Sequence, residues 1–122
     1  MRLIFFATAL ALASPAAAEA QSPQAVLVER LGLIKLDDRC RLLSPGPRAA
    51  LEAGAAQARG ALLRAGWNDG RLAELDSAVD GAARNRACND PRTQAAAADA
   101  REAYAQWAHT PVMEFEGWRR SW

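Results

Sequence analysis

Few residues in this chain have the chemistry for catalysis: His109, the adjacent acids Asp37 and Asp38, the pair Asp76 and Asp80, and the cysteines Cys40 and Cys88. A histidine held by a carboxylate is the minimum set for general acid-base hydrolysis, because imidazole changes charge near neutral pH and the acid orients it. His109 is the sole histidine, and only Glu114 and Glu116 stand near it in the chain. Beside Thr110 and Pro111, it reads as a surface histidine at the negative end of a helix. Asp37-Asp38 runs directly into Arg39, Cys40 and Arg41, the composition of a local charge network. Asp76 and Asp80 are four apart, the spacing of a solvated helix face. The sequence shows no Ser-His-Asp set, phosphate loop, Cys-x-x-Cys-His haem motif or paired Glu-x-x-His metal motif. No catalytic residue, metal or cofactor is assigned. A hydrolase-like periplasmic enzyme using a carboxylate and His109 is the alternative reading.

The two cysteines gain meaning from the start of the chain. Residues 1–20 carry Arg2, an apolar run from Leu3 to Ala13, and the small residues Ala16-Ala17-Ala18 of an A-x-A cleavage site. This is the pattern of a secretory signal peptide, cleaved after Ala18 or Ala20, whose apolar run is too short to span a bilayer. The expected product is an exported, periplasmic protein without stable membrane insertion. In an oxidising compartment the pair predicts a Cys40–Cys88 disulfide, closing a loop of roughly 49 residues worth about 4 kcal/mol on the chain-entropy model. If cleavage follows Ala18, Arg2 is lost and basic and acidic residues balance at 14 each. A neutral chain offers nucleic acid no electrostatic footprint.

Proline and glycine divide the rest into four helices, giving an all-α fold across residues 21–109. The first opens on Ser22 and Pro23 and carries Leu33, Leu36, Cys40 and Leu43; Gly32 and Asp37-Asp38 weaken it enough to suggest two shorter helices. After Ser44-Pro45-Gly46-Pro47, Leu51, Ala55, Ala58, Leu62 and Ala65 stripe a second helix that stops at Gly66. Asp69 caps a third, with Leu72, Leu75, Val79 and Ala82. Asp90 and Pro91 open a fourth, with Ala97, Ala100, Tyr104 and Trp107. Short turns predict an up-down-up-down bundle, which places both cysteines at one pole.

In that arrangement Trp67, Tyr104 and Trp107 share the opposite pole, where a tail of residues 110–122 emerges. Met113 and Phe115 alternate with Glu114 and Glu116 as in an extended segment with one buried face, and Trp118 and Trp122 are four apart. The expected role of the tail is to pack back on the bundle. Trp67, Tyr104, Trp107, Met113, Phe115, Trp118 and Arg119 are the candidate surface for a protein, peptide or small apolar ligand, since aromatic and arginine side chains make the strongest anchors.

The blocks "DDRCRLL", "AQARGALLRAG", "RACNDP", "AREAYAQW" and "MEFEGW" resemble those of small secreted Ala-rich helical proteins of alphaproteobacteria with no assigned activity. The resemblance spans residues 35–122 and implies an exported helical protein, with no catalytic residues to carry over. The functional expectation is a non-enzymatic binding domain. If the tail covers the bundle, a chain ending at Pro111 should melt earlier and bind a hydrophobic dye, since each large side chain buried contributes about 1.5–3 kcal/mol. An unchanged melting temperature would show that the tail covers nothing.

Overall fold

Three of the four helices begin on proline, whose fixed φ and missing N–H suit a first helical position. The computed structural model of the protein describes residues 21–108, which form α1 (Pro23–Cys40), α2 (Pro45–Arg64), α3 (Asp69–Arg84) and α4 (Pro91–Ala108), with no strand among them. Ser22 caps α1, its hydroxyl accepting from the Ala25 N–H at 3.2 Å. Asn68, one residue before the expected Asp69, caps α3 by accepting from the Arg71 N–H at 2.8 Å. Asp69 becomes the first helical residue, where its charge favours the positive helix end. At α4 the Asp90 carboxylate accepts from the Arg92 N–H at 2.9 Å.

The stops are equally local. Gly66 takes φ 97°, letting the Trp67 N–H reach the Leu62 carbonyl (3.0 Å) and the Gly66 N–H reach that of Leu63 (3.1 Å). This is a Schellman ending, and it lays Trp67 against the core. Helix α1 ends instead on Arg41, left-handed at φ 52° and ψ 58°. Gly32 does not divide α1, which is a single helix of 18 residues. A Cβ at Gly32 would meet Val79 Cγ1 at ordinary contact distance, 3.8 Å, so this glycine lies where α3 approaches.

The core joins Leu27 and Leu31 of α1, Ala55, Ala58 and Leu62 of α2, and Leu72 and Val79 of α3, edged by Val26, Ile34, Trp67 and Leu75. Helix α1 is central and touches all three other helices. On α3 the buried alanine is Ala83; Ala82 faces out, and Ala65 at the end of α2 is also exposed. Cys40 is bonded to Cys88, with Cα atoms 5.6 Å apart, so α1 and α3 rise to a common pole as expected.

Helix α4 starts at that pole and remains there. Arg101 Nη1 donates to the Leu42 carbonyl at 2.9 Å, and a Cβ on Gly46 would fall 2.6 Å from the Tyr104 hydroxyl oxygen. The placement of Tyr104 at the pole away from the disulfide is therefore corrected: its ring lies over the start of α2. The inner residues of α4 are small, with Thr93 and Ala97 fully buried, so the helix has little bulk to offer the main core. No helix among the described residues is long and apolar enough to cross a membrane. The expected signal segment (1–20), His109 and the expected packed-back tail (110–122), with Met113, Phe115, Trp118 and Arg119, lie outside the described residues.

Gly46→Ala places a methyl group 2.6 Å from the hydroxyl oxygen of the half-buried Tyr104, whose ring must swing aside, and is expected to cost about 1 kcal/mol. Part of that cost arises because Gly46 precedes Pro47, and this part is common to any background. Urea unfolding of the single and double variants with Tyr104→Ala should show that the second substitution relieves most of the rest. Simple additivity would mean that the ring is not on Gly46.

Candidate functional site

The buried carboxylate of Asp37 sits where α1 gives way to α2. Its Oδ1 accepts from the N–H groups of Leu42 and Leu43, each at 2.7 Å, and its Oδ2 accepts from Arg48 Nη1 at 2.7 Å. Its backbone carbonyl accepts from the Arg41 N–H at 2.8 Å. Burial opposes ionisation of this acid, but the Arg48 bond and the two backbone donors outweigh it and hold the carboxyl below its ordinary 3.8. Arg48 also meets Asp38 Oδ1 and Glu52 Oε1, both at 2.8 Å; the bond to Asp37 is the foremost cause of its raised pKa. Asp37 is thus committed to the backbone, and Asp38 is an exposed partner of Arg48.

A second charged set ties α3 to α1. Lys35, the chain's single lysine, reaches Asp76 at 3.3 Å and Asp80 at 3.7 Å. These two acids remain about 40% exposed while they pair with Lys35, so the face read as solvated also carries ion pairs to α1. Arg39 extends from the last turn of α1 to the end of α3: Nη2 donates to the carbonyls of Ala83 (3.0 Å) and Arg86, and Nη1 meets Cys88 Sγ at 3.5 Å. A groove of about 240 Å³ lies between these helices, lined by Lys35, Asp38, Arg39, Asp80, Ala83 and Arg84. Its charges are largely satisfied from within, since Arg84 also pairs with Asp80. Among the described residues, no three of His, Cys, Asp and Glu gather in a way that would hold a metal ion.

The aromatic candidates separate into two places. Trp67 packs on the core beneath the Arg71 guanidinium, whose carbon is 3.7 Å from the ring centroid, a cation–π contact. Tyr104 and Trp107 pair at 6.0 Å with planes tilted by 35°. Helix α2 separates the two places; at 1.5 Å per residue its 20 residues span roughly 30 Å. A small ligand cannot touch both, so the shared aromatic pole is corrected. Trp107 is 67% exposed on the last turn of α4, directly before the residues that lead into the tail.

Sequence reasoning missed Lys35 and Arg48 as organising groups and gave Arg39 to a local network with Asp37-Asp38, because their actual partners lie across turns or on other helices. Comparison of the chain with family models, with curated proteins and with solved structures gave no match.

A depressed carboxyl pKa fixes the sign of the acid response. The stability Asp37 contributes is complete above the unfolded carboxylate value of about 3.9, declines as pH falls through it, and is lost below the folded value. Asp37→Asn should cost about 1.5–3 kcal/mol at pH 7 and flatten this part of the stability–pH curve, measured by denaturant unfolding from pH 7 downward. An unchanged curve would show that the acid is not held as described.

Proposed function

We propose that this protein is an exported helical domain that acts by binding, and that the face of Tyr104 and Trp107 on α4 belongs to the contact surface. The carrying observation is Trp107: a large aromatic side chain, two-thirds exposed, standing beside a second aromatic ring. Leaving so large a ring in water forgoes burial energy that a partner would recover. The residues that follow in the chain, Met113, Phe115, Trp118 and Arg119, extend the same chemistry and are proposed as part of the surface. Trp67 is left out, since the core and Arg71 cover it.

Export is supported by the leader-like residues 1–20 and is compatible with the Cys40–Cys88 disulfide, since such bonds persist in oxidising compartments. The occupant in this reading is an apolar segment of a protein or peptide, or a small apolar molecule. Trp107→Ala should leave the melting temperature nearly unchanged, because the ring covers little of the described core, yet should lose the species that the wild-type protein retains from periplasmic extract. Retention of the same species by both proteins would overturn the reading.

A further inference from the structure

The two cysteine sulfurs occupy electrostatically unlike places, although a disulfide is chemically symmetric. Cys40 is the last residue of α1, at the negative end of the helix dipole, which disfavours a thiolate. Cys88 lies in the connection between α3 and α4, with the Arg39 guanidinium 3.5 Å from its Sγ. That guanidinium is held in place from the side of α3, because Nη2 is anchored on the carbonyls of Ala83 and Arg86. The nearest acid in the chain, Asp90, is occupied by Arg92 at 3.0 Å. Both cysteines keep partial exposure, and the Arg39–Cys88 contact lies at the surface, the side from which a small thiol would approach.

We propose that the Cys40–Cys88 disulfide is a thiol-exchange site of fixed polarity: an incoming thiolate bonds to Cys40, and Cys88 leaves as the thiolate beside Arg39. The step balances. The S–S bond between Cys40 and Cys88 breaks, a new S–S bond forms between the incoming sulfur and Cys40, and the electron pair leaves on Cys88. With a dithiol reductant, its second thiolate then displaces Cys40, which takes a proton from water. The reductant is oxidised to its disulfide and the protein is reduced by two electrons. The choice of sulfur follows from the rule that the better-stabilised thiolate leaves faster. Arg39 is a positioning residue in this scheme. It also caps α3, so the departing Cys88 thiolate stands beside the group that holds the end of that helix. This site is independent of the aromatic face and does not rest on the binding reading.

The test uses the folded, oxidised mature protein and glutathione as the probe. Samples taken early, quenched in acid and alkylated, are digested and the glutathione adduct is mapped. In the native protein the adduct on Cys40 should exceed that on Cys88 by at least about threefold, whereas in strong denaturant the two should be nearly equal. Arg39→Gln, with its fold checked by circular dichroism, should move the native ratio towards the denatured one, and Arg39→Lys should retain part of the preference. Equal adducts in the native wild type, an excess on Cys88, or no adduct before unfolding would each overturn the proposal. An unchanged ratio in folded Arg39→Gln would also overturn it.

Discussion

One carboxylate has to satisfy three donors where α1 ends. Asp37 takes the N–H groups of Leu42 and Leu43 and a guanidinium N–H of Arg48, while its own carbonyl takes the N–H of Arg41. A buried acid is tolerated only when its charge is compensated in this way. The arrangement pins the α1–α2 connection and fixes the first turn of α2 against the last turns of α1. Arg41 pays for it with a left-handed backbone, uncommon for a residue with a side chain. The position of α4 depends on the same connection, since Arg101 donates to the Leu42 carbonyl and Tyr104 lies on Gly46.

Polar fastening matters here because the apolar core is small. Its α2 layer is two alanines and one leucine, and α4 adds a single alanine and a threonine. Thr93 is fully buried, and its hydroxyl has no hydrogen-bond partner among the described residues. What apolar contact does not supply, charge and covalent bonding do. Lys35 joins α1 to α3 in mid-helix, Arg39 closes the end of α3, and the disulfide locks that pole. The opposite end is fastened by apolar means, with Trp67 folded under the Schellman turn of α2.

The helices were legible because their boundaries are written locally. Pro23 and Pro91 with their caps, and Gly66 with its positive φ, act within a turn of themselves. The disulfide followed from count and compartment. The cap at Asn68 was missed by one residue because both Asn68 and Asp69 suit that position. The course of α4 was not legible: a stripe of alanines has helical period but no bulk, so it does not select which groove it enters. That one undetermined direction split the candidate aromatic site, leaving Trp67 at one pole and Tyr104 with Trp107 at the other. The role of Asp37 was hidden for a related reason, since its partner Arg48 is 11 residues away across a turn. Adjacent acids read as surface charge until the turn closes over one of them.

The central claim is that a carboxylate, in place of helix or sheet pairing, holds the backbone of the α1–α2 connection. Amide hydrogen exchange at Leu42 and Leu43 tests it most directly, because both N–H groups lie outside any helix and both are bonded to Asp37 Oδ1. The account predicts that they exchange as slowly as amides inside α1, and that Asp37→Ala brings them to the rate of an open loop while the interior of α1 stays protected. Fast exchange of both amides in the wild-type protein, with α1 protected, would contradict it.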